Sequence, residues 1–458
     1  MTKLVRNIGY TAGVSILAGG IIGSGIFMKP ATMALQLGSP VLMLLVWLLA
    51  GIVVLFGALC NAEAGAMFPE TGGQYVLFQK MYGNKFAFIY GWASVAVFNT
   101  AGIASIAFIC AEYLLNALGV RAELNLFEFS LSRVFLLKTT ASILLLLFTI
   151  LNIRSVKQSE GVQILLTALK LLAIAVLIFG LLSSDRGSVD HIMENSNELP
   201  MGFAFVTAFF ASFAGAFWAF DGWNGIVFIA GEIKQPQRNL PRILITGIAI
   251  STLVYLFTAF SLSYIVPLSA MNSETVIAFD AGLLVWGSGA ASIIALMIAI
   301  STAGSLNSNV LSTARITYAF GDENKKLSFL AGIHPSFFTP NRALAANLVL
   351  AILYVISGSF DSLTDMLIFV SWFFYGMGAL GLFILRKKYP KHERPFKTPL
   401  YPILPAVFVT FTAIFVMNTF FYDLQNYIRG ITPGVNSLIG ITITLLGLPL
   451  YYWANRKM

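Results

Sequence analysis

The sequence predicts an all-α integral membrane protein with twelve transmembrane helices. They form two five-helix halves of opposite orientation, followed by two additional helices, and helices 1 and 6 are unwound midway. Three observations carry this expectation. The 458 residues are 58% hydrophobic and only 10% charged, against about 25% charged in an ordinary soluble domain. The apolar residues cluster in twelve runs of roughly 20, the length needed to cross about 30 Å of hydrocarbon. The first and sixth runs carry glycine and polar interruptions where a membrane helix should be most regular.

The runs lie near 9–35, 40–64, 86–116, 133–152, 160–183, 201–230, 242–266, 282–319, 341–357, 362–386, 399–421 and 434–455. Runs 3 and 8 are longer than the bilayer requires, so they tilt or extend beyond it. Lys3 and Arg6 precede the first run. That run is too long for a signal-peptide core and lacks a small-residue cleavage site, so it is expected to stay as an anchor. A single domain over 1–458 then holds a first repeat, 9–183, and a second, 201–386, with 399–455 outside both. An odd number of spans per repeat inserts the second upside down relative to the first, which is the inverted repeat of the LeuT-type fold.

The net charge of +8 is distributed by topology. With a cytoplasmic N-terminus, only Lys29, Arg121, Arg133, Lys138, Arg186 and Arg429 fall on the outer face, and Lys170 falls inside a span; the remaining lysines and arginines, of 28 in all, lie on the cytoplasmic side. This positive-inside bias predicts that both termini are cytoplasmic, and nucleic acid is not an expected partner. Cys60 and Cys110 sit inside spans, so no disulfide framework is expected. His191, His334 and His392 fall in loops without metal-ligand spacing. Neither a P-loop nor a dinucleotide fingerprint is present. No cofactor, metal or catalytic residue is therefore expected, and ATP-driven transport by this chain alone is disfavoured. An enzyme would need a converging nucleophile and base, and a channel a continuous pore with a filter.

Gly19, Gly20, Gly23 and Gly25 interrupt the first run. Gly19 and Gly23 could simply let a neighbouring helix approach, as small-xxx-small pairs do. Alternatively the helix unwinds here. A half-helix starting near Ser24 then points free N–H groups and its positive dipole end at an anion such as an amino acid carboxylate, while freed carbonyls face a cation. The matching break in run 6 favours unwinding, because paired interruptions in corresponding positions point to a transporter's binding site.

In run 6, Phe217 and Phe220 are expected to pack against neighbours, and Trp218, just before the break, to close over a ligand as a gate. Asp221 is costly at membrane depth unless it meets water or a partner. It binds a cation or proton, or caps the second half-helix, and capping is the favoured reading. Lys170 lies roughly 15 Å of helix from the start of its span, too deep to reach the interface easily. Its ammonium is expected to bind freed carbonyls of span 1 and hydroxyls of span 8, Ser301 or Ser305, where sodium sits in ion-coupled proteins of this fold. Glu63, at the end of span 2, is either solvated or linked to a cytoplasmic cation, and Glu112 is expected to be solvated.

Gly19-Gly-Ile-Ile-Gly-Ser-Gly-Ile-Phe27, Phe220-Asp-Gly-Trp-Asn224, Glu232 with Asn239-Leu-Pro241, Gly304-Ser-Leu-Asn307 with Ala314-Arg315, His334-Pro335 and Glu393-Arg-Pro-Phe-Lys397 run in order through nearly the whole chain. Together they resemble the L-amino acid transporter family of the amino acid–polyamine–organocation superfamily, and in particular its bacterial members that exchange alanine, serine and cysteine. The resemblance implies sodium-independent exchange of small neutral L-amino acids across the plasma membrane by alternating access. It implies that backbone N–H groups around Ser24, Gly25 and Ile26 hold the carboxylate, with Gly23 also at the substrate site. Carbonyls of Ile21, Trp218 and Asp221 would hold the amino group, and Lys170 would replace sodium.

Three departures stand out. The family usually has glycine where Asp221 stands. Eukaryotic members bond to an ancillary glycoprotein through a cysteine between spans 3 and 4, and residues 117–132 contain none, so no disulfide-linked subunit is expected. Trp218 replaces the usual phenylalanine, which narrows the pocket toward small side chains such as alanine, serine, cysteine and glycine. The rival readings are a proton-coupled importer using Asp221 or Glu63, and a cationic amino acid carrier using Asp221.

Overall fold

A computed structural model describes residues 8–23, 25–69, 73–120, 124–126, 129–154, 156–196, 199–228, 230–271, 277–358 and 360–455. Its helices reproduce the twelve apolar runs. Span 1 is two helices, Tyr10–Ile21 and Gly25–Leu37, bent by 48° at their junction. Spans 2 to 5 are Pro40–Met67, Asn84–Ala117, Arg133–Arg154 and Val156–Leu182. Span 6 is Phe203–Phe220, interrupted and then resumed as the single turn Gly225–Phe228. Spans 7 to 11 are Pro236–Ile265, Ile277–Glu323, Asn341–Ser357, Phe360–Lys388 and Ile403–Ile428. Span 12 runs from Asn436 to Asn455.

Among the described residues, nine of these helices are individually long and apolar enough to cross a bilayer, and the bent pair of span 1 makes a tenth. Span 5 and the 17-residue span 9 complete the twelve. Span 9 is short for about 30 Å of hydrocarbon, and span 8, with 47 residues, is long. Span 8 bends where Gly287 adopts φ +80°, which a side chain would resist.

Tertiary packing positions the site. Span 8 lies against spans 3 and 5, span 7 against span 2 and the first half of span 1, and span 6 against the second half of span 1. Phe217 stacks on Trp372 with ring centroids 3.5 Å apart, and Phe220 packs edge-on against Tyr255 at 5.0 Å. Both phenylalanines are therefore packing residues, as expected. Outside the spans, helix Gln74–Tyr82 follows span 2, and a small antiparallel hairpin, Leu124–Leu126 with Phe129–Leu131, connects spans 3 and 4.

Two acidic residues have partners the sequence did not reveal. Glu63 is completely buried and is held bidentately by Arg386, with Nε–Oε1 at 2.9 Å and Nη2–Oε2 at 2.7 Å. Its Oε2 also accepts the backbone N–H of Thr398 at 2.7 Å, and Arg394 lies 3.5 Å from Oε1. Span 2 is thus tied to the C-terminal end of span 10 and the loop beyond. Glu112 is not freely solvated: it pairs with Arg133 at 2.5 Å, joining spans 3 and 4.

Candidate substrate site

The two breaks meet. Gly222, in the span 6 interruption, has φ +95°, and a Cβ there would lie 3.3 Å from the carbonyl oxygen of Gly20 in span 1. Gly25 opens the second half of span 1 directly against span 6. A Cβ on it would come within 2.5 Å of the Ala219 Cβ, 2.7 Å of the Ala219 Cα and 3.0 Å of the Trp218 ring. Close approach of two backbones, rather than a turn, is what requires glycine at 25. Gly25→Ala should therefore push the half-helices apart; we expect a more than tenfold loss of substrate binding, measured by scintillation proximity, with little loss of membrane expression.

Tyr255 of span 7 ties the breaks together. Its hydroxyl lies 2.6 Å from the Ile21 carbonyl oxygen and 2.6 Å from that of Ala219. A phenol has one proton to donate, so the two buried carbonyls share one donor and retain acceptor capacity. At the other end of the break, Asn224 is held by Asn61 of span 2, Nδ2 to Oδ1 at 2.8 Å, and donates in turn to Gln74 at 3.4 Å. These buried amides bond one another and tie the end of the span 6 break to span 2 and the helix Gln74–Tyr82.

Lys170 is fully buried and does not snorkel. Its Nζ donates to the Gly19 carbonyl at 2.9 Å and to Ser305 Oγ at 2.8 Å. The ammonium thus joins the first half of span 1 to span 8 through span 5. Ser301 does not take part. Its hydroxyl has no hydrogen-bond partner among the described residues, and it borders a separate, apolar pocket beside Phe27 and Trp286. Ser301 and Ser305 share a face but stand one turn, about 6 Å, apart, and the ammonium is level with Ser305.

Asp221 is not an N-cap. The second helical stretch starts at Gly225, directly after Asn224, which leaves Asp221 too early in the chain to reach its first amides. Instead its backbone N–H closes the preceding helix on the Trp218 carbonyl at 3.2 Å, and its Oδ1 accepts from the Tyr375 hydroxyl of span 10 at 3.1 Å.

Ile21, Gly23, Gly25, Trp218, Asp221 and Ser305 all line one cavity of about 40 Å³, together with Gly20 and Ala219. Gly102 and Ile106 of span 3, Asn309 of span 8 and Leu367 of span 10 complete its wall. It has room for about three waters. Ile26 is buried beside the cavity without lining it, though its N–H belongs to the first turn of a helix, where backbone donors lack intrahelical partners. Ser24 lies outside the described residues.

Tyr255, Tyr375 and Asn309 were missed in the sequence. A signal existed for Tyr255: Ser251, Tyr255 and Thr258 follow helical spacing along one face of span 7. Ser251 and Thr258 merely bond their own helix, to Gly247 and Val254, so the spacing alone would not have selected the tyrosine.

The profile of the amino acid permease family matches residues 8–446. The serine/threonine exchanger SteT of Bacillus subtilis is 31% identical over 461 residues, covering 99% of this chain and 98% of the relative. The b(0,+)-type amino acid transporter 1 of Mus musculus is 30% identical, covering 99% of this chain and 91% of the relative. The large neutral amino acids transporter small subunit 2 of Homo sapiens is also 30% identical, with 99% and 82% covered.

Proposed function

Because the chain belongs to the amino acid permease family, we propose that it is a sodium-independent exchanger of small neutral L-amino acids, namely alanine, serine, cysteine and glycine. It works by alternating access in the plasma membrane with both termini cytoplasmic. Transport, not catalysis, is the activity of the family. Residues 9–183 and 201–386 act as inverted halves around one site, and 399–455 form an accessory pair.

The observation that carries this reading is the cavity between the two broken helices, lined by Gly20, Ile21, Gly23 and Gly25 of one break and by Trp218, Ala219 and Asp221 of the other. The N–H groups at Ser24, Gly25 and Ile26 hold the carboxylate at the start of a helix, where the dipole favours an anion. The carbonyls of Ile21, Trp218 and Asp221 hold the ammonium; the surplus acceptor capacity of the Ile21 carbonyl beside Tyr255 supports its part in this. Lys170 with Ser305 supplies the fixed positive charge that sodium would otherwise bring, which supports sodium independence. No covalent ancillary subunit is required.

Countertransport tests the proposal. Proteoliposomes loaded with alanine should take up labelled alanine, serine or cysteine far faster than empty ones, equally in sodium and in choline. Equal uptake by loaded and empty vesicles would refute exchange. Trp218 closes the cavity as a gate and limits side-chain volume. Trp218→Phe should raise leucine uptake relative to alanine by about tenfold, the discrimination that one or two methylenes command; an unchanged ratio removes Trp218 from the specificity wall.

Asp221 supports a second reading, because its carboxylate lines the cavity. A cationic substrate, or a co-transported proton, would find its counter-charge there. Competition by arginine, or accumulation driven by a pH gradient into vesicles free of amino acid, would favour it. Glu63 no longer belongs in that reading: it is ion-paired to Arg386 and does not line the cavity.

A further inference from the structure

The His334-Pro335 motif plays no part in the substrate site, yet it builds a specific turn between spans 8 and 9. His334 N–H donates to the Thr339 carbonyl at 2.8 Å, and Phe338 N–H donates to the His334 carbonyl at 2.9 Å. The His334 ring accepts the N–H groups of Ser336 and Phe337 at 3.2 Å each and stacks on Phe337 with centroids 4.5 Å apart. The turn holds Phe338 at φ +55°, a conformation that a bulky side chain resists. What it achieves is to present an aromatic ring that is 81% exposed. Phe337, Ile333 and Phe329 are exposed beside it. Strain spent on displaying apolar side chains points to a surface that something covers.

The depth of the turn says what that is. Thr339 is fully buried and donates its hydroxyl to the Ile153 carbonyl at 2.7 Å. Ile153 is the penultimate residue of span 4, a helix of 22 residues, about 33 Å long. The turn is thereby pinned level with the rim of the hydrocarbon layer. The same face carries two lysine–aromatic pairs of interfacial type: Lys326 Nζ lies 5.2 Å from the Trp453 ring, and Lys85 Nζ 5.0 Å from that of Tyr452.

The charge around the turn is predominantly positive. Arg154, Lys325 and Arg342 are exposed, against Asp322 and Glu323 at the end of span 8. The Arg342 stem lies across Gly332, where a Cβ would meet its Cδ at 2.3 Å, which holds the guanidinium against the turn.

We propose that the turn 332–340 is a membrane-surface anchor: Phe337 and Phe338 sit among the lipid headgroups of the leaflet on the basic side of the protein, and Arg154, Arg342 and Lys325 bind the phosphates of anionic lipid. An apolar tip flanked by two arginines and a lysine matches that surface in both polarity and charge. The anchor would hold the rim of spans 4, 8 and 9 at constant depth.

Cys60 and Cys110 are both buried, so Phe338→Cys in the full chain offers one accessible thiol for an environment-sensitive fluorophore. The labelled protein is placed in vesicles of phosphatidylcholine, with or without phosphatidylglycerol. With phosphatidylglycerol, the emission should shift to the blue, and nitroxide-headgroup lipid should quench it several-fold more strongly than aqueous iodide. Arg154→Gln with Arg342→Gln should restore much of the iodide access while leaving the thermal melting of the protein unchanged. Water-like emission quenched mainly by iodide in both vesicles would overturn the anchor and leave the patch as a contact for a water-soluble protein. Lipid contact indifferent both to phosphatidylglycerol and to the arginine changes would overturn the anionic-lipid assignment. The compartment this leaflet faces is read separately, from whether an impermeant thiol reagent reaches residue 338 in intact cells. A wrong orientation and a wrong anchor thus give different results.

Discussion

Lys170→Ala should lower alanine exchange by about 10- to 100-fold while the protein still reaches the membrane. The magnitude follows from what the ammonium holds. It makes two charge-assisted hydrogen bonds, to the Gly19 carbonyl and to Ser305 Oγ, each worth about 1.5–3 kcal/mol. Removing it leaves a buried carbonyl beside the break of span 1 without its donor, and it uncouples span 1 from span 8. If that link is made in only one stage of the transport cycle, its loss shifts the balance between stages by roughly one to two powers of ten. Substrate affinity should change along with rate, because Gly19 and Gly20 adjoin the carbonyls assigned to the ammonium of the substrate. Lys170→Arg should not restore activity, since a planar guanidinium cannot replace a compact ammonium in a fully enclosed space. The readout is countertransport in proteoliposomes normalised to reconstituted protein. A fully active alanine variant would reduce Lys170 to scaffolding and remove the main support for sodium independence.

Glu63→Ala should have the largest effect on stability. The carboxylate is enclosed, yet it serves Arg386 through two hydrogen bonds and Thr398 N–H through a third, with Arg394 close by. Removing one member of a buried pair costs about 3–5 kcal/mol, mostly because the remaining charge is left uncompensated. Arg386 keeps partial contact with water and lies over the Tyr401 ring, so the lower end of that range applies. Melting in detergent should fall by several degrees, and expression should drop. Replacing both partners, Glu63→Gln with Arg386→Met, should recover part of the loss, because of the two arginines only Arg394 is then left without the carboxylate. Equal damage from the double and single changes would show that the carboxylate matters for another reason, such as its bond to Thr398.

Much of the molecule was legible because the bilayer imposes simple rules. Spans must be apolar and about 20 residues long, so hydropathy located all twelve. Unwound backbone and a mid-membrane lysine are costly, so Gly19 to Gly25, the stretch from Phe220 to Asn224, and Lys170 stood out against a uniform background. What escaped notice involved partners distant in the chain. Tyr255 is one tyrosine among 16, and its importance arises only because span 7 crosses behind both breaks. Asp221 read as a cap from its neighbours in sequence, whereas its actual partner, Tyr375, lies on span 10. Ser301 and Ser305 are equivalent by type and face, and only the height of the ammonium separates them.

The sequence by itself determined that this chain is a twelve-span membrane protein broken in its first and sixth spans, with a cation in the middle. Those features follow from the cost of placing polar groups in hydrocarbon, which is paid residue by residue and so can be read residue by residue. The tertiary structure alone decided which groups satisfy one another: Lys170 with Gly19 and Ser305, Glu63 with Arg386, Tyr255 between two carbonyls. A hydrogen bond depends on separations of about 3 Å, and helix packing sets those separations between residues as far apart in the chain as Glu63 and Arg386, 323 positions.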